Sequence, residues 1–297
     1  MKHIFIVNPV SGHGKSKQII PWIHEYFLEN PGQYEVIMTE NHGHATKLTQ
    51  QYTKVDDVCV YACGGDGTVN EVLNGLQDGV TMALIPTGTG NDFTRMFEYP
   101  KWKLKQILYK TIDGKEVMVD YGMIDDRRFM NCATMGFDAD INLKAEKLGK
   151  KLPIPSKLVY IVSIFPTLKE RKPMNLTLTI DETYTFTSLL TAVMNGRFYG
   201  GGFLPTPKAT CQDGLFDICV VKNPPLRTIL HLLPKYMKGT HTKHPMAVFF
   251  KGSKLRIQAE RVMNVQIDGE VSQSSDIHLE IIHKGVKVRV PKESVLQ

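Results

Sequence analysis

Asp66 stands inside a run of glycines, Cys63-Gly64-Gly65-Asp66-Gly67-Thr68-Val69-Asn70-Glu71, and a carboxylate there calls for a chemical reason. The run follows residues 58–62, an apolar stretch of strand length. After it, Val69, Val72, Leu73 and Leu76 recur at helical spacing, so the glycines occupy a strand-to-helix turn. Glycine there permits positive φ and the close approach of a bulky partner. Thr68 is placed as an N-cap, and Glu71 three residues on completes a capping-box pattern. Free amides at such a turn attract phosphate. A carboxylate beside phosphate is repelled unless a divalent cation or a reacting hydroxyl lies between them. Taken alone, the run also fits a plain tight turn that holds an aspartate. A second turn of the same kind, Pro86-Thr87-Gly88-Thr89-Gly90-Asn91-Asp92-Phe93, again has a carboxylate at its exit. Two more acidic turns lie far downstream, Asp213-Gly214 and Asp268-Gly269-Glu270. The first fits a hairpin turn, and the second fits either a pair of working acids or a type I′ turn.

These turns need strands to hold them. Residues 4–7 form a short buried-type strand that runs into Asn8-Pro9-Val10-Ser11-Gly12-His13-Gly14-Lys15-Ser16. Gly14-Lys15-Ser16 matches the end of a P-loop, but Pro9 sits where the first glycine should be, so a Walker A loop is excluded. A helix follows to about Leu28, with Ile19, Ile20, Ile23 and Phe27 on one face. Residues 34–38 read as a strand ending at Thr39, 44–52 as a helix and 81–85 as a buried strand. Alternating strands and helices imply a parallel sheet, whose ligands bind at the carboxyl ends of the strands, where all three Gly-rich loops lie. After about residue 115 the pattern changes. Segments 116–121, 128–134, 174–180, 184–193, 215–221, 248–250, 255–258, 262–267, 277–282 and 286–290 read as short strands. They imply an antiparallel sandwich or barrel, interrupted by helices near 141–148 with 156–169 and near 226–238. The boundary is placed near Gly122.

Gly64-Gly65-Asp66-Gly67-Thr68 resembles the nucleotide-binding signature of the diacylglycerol kinase catalytic-domain family, which includes bacterial lipid kinases and sphingosine kinases. NAD kinases and, more distantly, phosphofructokinases carry a similar turn. Asn8-Pro9-x-Ser11-Gly12 matches the lipid-kinase family's first motif, a form that NAD kinases lack, and residues 86–92 resemble its G-T-x-N-D motif. The resemblance runs from residue 8 to residue 270. It implies an N-terminal Rossmann-like, phosphofructokinase/NAD-kinase-like α/β domain over residues 1–122, with about 289–297 returning to it. An antiparallel β-sandwich domain over 123–288, binding metal and the lipid acceptor, would follow.

The resemblance also assigns roles. ATP would be cradled by Asn8, Pro9, Ser11, Gly12, Thr39, Gly64, Gly65, Gly67, Thr68, Asn70, Glu71, Thr89 and Asn91. Asp66, Asp92 and Asp120 would hold its Mg²⁺, with Lys15 and Arg95 as candidate phosphate cations. Asp213, with the carbonyls of Thr210 and Leu215, would bind a structural Mg²⁺ in an all-oxygen shell, organised further by Asp217. Glu270 would accept the proton of the lipid hydroxyl, supported by Asp268, with Asp66 also catalytic. The segment 195–203, Asn-Gly-Arg-Phe-Tyr-Gly-Gly-Gly-Phe, resembles the family's N-G-x-x-x-G-G-G stretch, whose glycines leave room at an acceptor cleft. The implied activity is ATP- and Mg²⁺-dependent phosphorylation of a lipid, with diacylglycerol leading. The rival readings are a kinase of a soluble substrate such as NAD, and a catalytically silent regulator that binds membrane or nucleotide.

The bulk numbers agree with that class. In 297 residues, 42% are hydrophobic and 22% charged, and the net charge is +6. This is a globular composition of one or two domains, mildly basic, which suits phosphorylated ligands or an anionic leaflet but does not argue for nucleic acid. Five cysteines without a CxxC pair or zinc spacing suggest reduced thiols. Residues 1–8 enter a strand without a signal-peptide core, and the longest apolar patch, 158–168, contains Ser163 and Pro166 and is too short to span a bilayer. A cytoplasmic protein, peripherally attached to membrane, is expected. Lys144, Lys147, Lys150, Lys151 and Lys157, with Lys169, Arg171 and Lys172, would meet anionic lipid, and Leu148, Leu152, Ile154 and Leu158 would insert; a solvated helix face fits the same residues. An exposed edge strand in the second domain would allow a homodimer.

Overall fold

A computed structural model describes residues 1–149 and 156–297. The chain divides into two compact units, Met1–Tyr121 with His283–Gln297, and Gly122–Ile282. The returning segment thus begins before the residue 289 expected, because Val286, Val288 and Val290 are buried strand residues.

The first unit alternates strand and helix. β1 (Lys2–Val7) leads through a 3₁₀ stretch (Ser11–Gln18) to α1 (Ile19–Glu29) and β2 (Tyr34–Met38), then α2 (His44–Thr49). β3 (Val58–Gly64), α3 (Asp66–Gly75), β4 (Thr81–Pro86), a 3₁₀ turn (Phe93–Phe97), α4 (Leu104–Ile112) and β5 (Lys115–Ile124) follow. α4 has no counterpart among the expected elements, although Leu104, Ile107, Leu108 and Ile112 share one helical face. The strands pair in parallel in the order β2-β1-β3-β4, and Lys287–Arg289 add a further parallel strand beside β4. All of β3 is buried, as a central strand covered on both faces requires. Phe5, Val7, Tyr61, Cys63, Ala83 and Ile85 pack under Ile19, Ile23 and Phe27 of α1 and Leu108 and Ile112 of α4. In this order the connections depart in opposite directions from β1 and β3. In parallel sheets, ligands bind at the carboxyl ends of the strands where such a reversal occurs. The loops there begin at Asn8 and Gly64.

The second unit is antiparallel. Its strands are β6 (Arg127–Phe129), β7 (Cys132–Gly136), β8 (Met174–Thr179), β9 (Thr183–Met194), β10 (Phe216–Lys222), β11 (Ala247–Gly252), β12 (Lys254–Ile267) and most of β13 (Glu270–Val290). α5 (Phe137–Gly149), α6 (Ser156–Lys169) and α7 (Leu226–Met237) interrupt them. β9 pairs with β8 along its first half and with β7 along its second, and β12 does the same. The long strands therefore bend from one layer into the other over a core that includes Phe129, Met135, Leu176, Phe216, Ile257 and Val265. The segments 255–258 and 262–267 are one strand, not two. A register shift between Gln258 and Met263 lets the ladder resume, and the exposed Glu260 and Arg261 break the alternation seen in sequence. Segment 128–134 is instead split between β6 and β7 at Met130-Asn131.

All five cysteines are buried and free, and burial pushes the Cys59 thiol up to about 12. Among the described residues, no helix is long and apolar enough to cross a membrane.

Candidate active site

In the first unit, three loops meet backbone to backbone because glycines let them. Gly12 has φ +58, and a Cβ built on it would lie 2.0 Å from the Thr87 carbonyl oxygen. A Cβ on Gly88 would lie 2.4 Å from the Gly65 Cα, and the Gly88 amide donates to the Gly64 carbonyl at 3.1 Å. Gly64, Gly65 and Gly67 themselves do not have positive φ. Their small size is used for close approach, not for an unusual backbone conformation. Thr87 is buried where these loops pack, and its hydroxyl has no protein partner.

Several expected roles change at this turn. The N-cap of α3 is Gly65 in extended conformation, with no side-chain cap. Thr68 sits within the first turn, where its Oγ1 accepts from Asn8 Nδ2 at 3.1 Å and ties the first loop to the second. Glu71 does not reach back to close a capping box. Its carboxylate accepts the Ala45 amide at 3.1 Å and so holds the start of α2. Asn91, at φ +52, accepts the Gly88 amide at 3.0 Å and donates to the Gly88 carbonyl at 2.8 Å, which makes it a brace for its own loop. Asn70 is buried on α3, and Thr39 is buried at the end of β2 with its amide on the Val7 carbonyl at 2.9 Å. Pro9, Ser11 and Gly12 are part-exposed or half-buried along the first loop, and Thr89 is exposed at the tip of the third. Lys15 and Arg95 are exposed; Arg95 Nε lies 3.4 Å from Asp92 Oδ1.

Asp66 and Asp92 come together. The Asp92 amide donates to Asp66 Oδ1 at 2.9 Å. A Cβ on Gly90 would lie 2.6 Å from Asp66 Oδ2 and 3.6 Å from Asp92 Oδ2, so both acids border the space that this glycine leaves open. Burial raises the Asp66 pKa, opposed by hydrogen bonds from the amides of Asp92, Asn91 and Phe93. Two carboxylates around one small opening repel each other unless a cation is shared between them, and oxygen donors suit a hard one. The pair therefore fits the Mg²⁺ of a nucleotide. Asp120 is different. It is fully buried, and its Oδ1 accepts from His283 Nδ1 at 3.0 Å and from the Lys284 amide at 2.6 Å. These bonds anchor the returning segment, and they give the expected metal role no support.

In the second unit, Asp268-Gly269 forms the two-residue turn between β12 and β13. Both residues have positive φ, +45 and +100, as a type I′ turn demands. The buried Asp268 carboxylate accepts three backbone amides, from Met130 at 2.6 Å, Asn131 at 3.0 Å and Cys132 at 2.9 Å. These bonds tie the turn to the backbone of residues 130–132, a contact that the expected electrostatic support of Glu270 did not include. Glu270 Oε2 lies 2.6 Å from Arg127 Nη2, each side chain about a third exposed. Asn131 extends the network, donating to the Phe198 carbonyl at 2.8 Å, while Asn195 donates to the Met130 carbonyl at 2.7 Å. Arg197 Nε then reaches the Ala209 carbonyl at 2.8 Å, so the Gly-rich segment 195–203 bridges the Asp268 turn and the Asp213 segment. Arg127 and Lys251 escape the sequence reading. Asn131 does too, although a polar residue within an apolar strand segment is a legible signal.

Asp213 occupies an exposed turn where its Oδ1 accepts the Leu215 amide at 3.2 Å. Lys251 Nζ lies 3.0 Å from Asp213 Oδ2 and 3.1 Å from Asp217 Oδ2. Burial raises the Asp217 pKa against the pull of Lys251, with Asp213 adding repulsion. One ammonium answers both carboxylates, and each Asp213 oxygen has a protein partner, the Leu215 amide on one and Lys251 on the other. Among the described residues no cluster of three or more His, Cys, Asp or Glu side chains could hold a metal.

Comparison with known proteins decides between the kinases that share the central turn. Residues 2–124 match the family model described as the diacylglycerol kinase catalytic domain. Residues 131–290 match the YegS C-terminal NAD kinase beta sandwich-like domain. A Bacillus subtilis protein named "Putative lipid kinase YtlR" is 30% identical, with the match covering 94% of this chain and 96% of that protein. The chain belongs to the diacylglycerol kinase catalytic-domain family. A Staphylococcus haemolyticus diacylglycerol kinase is 27% identical over 97% of this chain and 88% of its own. A crystal structure described as a putative diacylglycerol kinase from Bacillus anthracis superposes with a TM-score of 0.76 at 26% identity, covering 99% of this chain and 98% of the other. The chain is thus a lipid kinase by family, and the NAD kinase likeness of its second domain is one of fold.

Proposed function

We propose that this chain transfers the γ-phosphoryl group of ATP to a lipid hydroxyl, with diacylglycerol as acceptor and phosphatidic acid as product. The observation that carries the reading is the opening at Gly90, bordered by Asp66 and Asp92 beside three glycine-packed loops, in a chain of lipid-kinase family. Asn8 and Thr68 fix the first loop against the second, so that the first-turn amides of Gly67 and Thr68 can hold phosphate oxygens. Mg²⁺ accompanying the nucleotide would be held by Asp66 and Asp92 and would neutralise phosphate charge. Glu270 takes the proton of the acceptor hydroxyl. As it does, the lipid oxygen bonds to the γ-phosphorus, the bridging bond breaks and ADP departs.

The test is transfer of labelled γ-phosphate into diacylglycerol, sphingosine, ceramide and phosphatidylglycerol in mixed micelles, with NAD as a soluble control. Label in diacylglycerol only with Mg²⁺ present is expected; label in NAD, or in no lipid, overturns the reading.

A lipid substrate brings the protein to a bilayer surface, and α6 offers the contact. Val162 and Phe165 are 42% and 61% exposed, with Lys169 one turn beyond. Lys144 is engaged with Glu170 at 2.7 Å, which removes it from the expected basic patch. Lys150, Lys151, Leu152 and Ile154 lie outside the described residues, as do the side chains of Lys157 and Leu158. Burying Val162 and Phe165 at the interface contributes ~2 kcal/mol or more. Replacing both by Glu is expected to weaken co-sedimentation with phosphatidylglycerol vesicles roughly tenfold or more; unchanged binding would remove α6 from the contact. In the second unit β11 ends the sheet path, and its outer edge is where a homodimer would form.

A further inference from the structure

A glutamate that takes a proton must present its carboxylate in one direction, yet its side chain has three rotatable bonds. Glu270 is the first residue of β13, directly after a left-handed turn, and its side chain is about a third exposed. Arg127 meets it at 2.6 Å. Arg127 opens β6 and pairs with Ile124 across Asp125-Asp126, a two-residue turn in which Asp125 has φ +50. Beyond β6, Met130, Asn131 and Cys132 give their amides to Asp268. The turn Asp268-Gly269-Glu270 therefore grips the segment 127–132 at both ends, through backbone at one acid and through a side chain at the other. The Asp268 bonds fix the backbone of that segment against the turn, so the guanidinium approaches Glu270 from a set position. A guanidinium is always charged and rigidly planar, which makes it better suited than water to hold a carboxylate in place.

We infer that Arg127 is a positioning residue for Glu270, holding the carboxylate in the orientation from which it accepts the lipid proton. The inference rests on the assignment of Glu270 above. A reacting group displaced by an ångström slows chemistry without weakening binding elsewhere. Arg127→Gln is therefore expected to lower kcat for diacylglycerol phosphorylation about tenfold, with KM for ATP within about twofold of wild type. Arg127→Lys, which can restore one charged contact, is expected to recover part of the loss.

The deciding measurement is a double-mutant cycle of kcat over wild type, Arg127→Gln, Glu270→Gln and the pair, with thermal melts of each. If Arg127 acts through Glu270, the pair is no slower than Glu270→Gln alone. Losses that multiply, or an Arg127→Gln enzyme as fast as wild type, overturn the positioning role while leaving Glu270 as the proton acceptor. Near-normal turnover in Glu270→Gln overturns the proton-acceptor assignment itself, and the inference with it. Should Arg127→Gln melt early, the Lys variant with and without Glu270→Gln carries the same comparison.

Discussion

Asp66→Asn is expected to abolish turnover, by about 10³-fold or more, while the protein folds and melts no earlier than wild type. The asparagine keeps an oxygen where Asp66 Oδ1 accepts the Asp92 amide at 2.9 Å, so the third loop keeps its anchor. What disappears is a charge shared with Asp92 across the Gly90 opening. Burial raises the Asp66 pKa in the folded protein, against opposing amide hydrogen bonds. A carboxylate with a raised folded pKa destabilises the folded state when ionised. The penalty is absent below the unfolded carboxylate pKa, grows as pH rises through the folded value and is complete above it. At neutral pH and without divalent cation, Asp66→Asn should therefore melt at the same temperature as wild type or higher. Mg²⁺ with nucleotide should stabilise wild type and leave the variant nearly unmoved. Initial rates and paired melts check both halves. A variant that keeps its rate removes Asp66 from the reaction, and one that melts early makes it a structural residue.

The features legible in the sequence were those that depend on local chemistry. Apolar runs at 4–7, 58–62 and 81–85 become parallel strands because a doubly covered strand must be continuously apolar, whereas 34–38, interrupted by Glu35, is the part-exposed edge strand. The Gly-rich turns were legible because only glycine allows the approaches at Gly12 and Gly88. What failed depends on partners distant in sequence. Thr68 reads as a cap until Asn8, sixty residues earlier, takes its hydroxyl. Glu71 reads as half of a capping box until the Ala45 amide takes it. Asp268 and Glu270 read as a working pair, yet their first partners lie more than 130 residues away and give them unlike tasks. The bulge within β12 hides one strand as two, because extra residues break the alternation on which strand reading depends.

That difference in task yields the second large effect. Asp268→Ala and Glu270→Gln, one glycine apart, are expected to fail in opposite ways. Removing the Asp268 carboxylate leaves the amides of Met130, Asn131 and Cys132 without their charged acceptor in a buried site. Each such loss costs about 1–3 kcal/mol, so the variant should lose at least ~3 kcal/mol. For a unit of this size that lowers Tm by roughly 10 °C. Its activity should fall with the folded fraction, and by up to about tenfold more as the segment that carries Arg127 loses its set position. Glu270→Gln keeps a polar group near Arg127 at a third-exposed position, so it should melt close to wild type. Its turnover should drop by about 10²-fold or more, because an amide cannot accept the hydroxyl proton. Melting curves and rates for both variants separate the roles. An Asp268→Ala protein that is stable but inactive would return that residue to the chemistry. A Glu270→Gln protein that is unstable would make its contact with Arg127 a structural clamp.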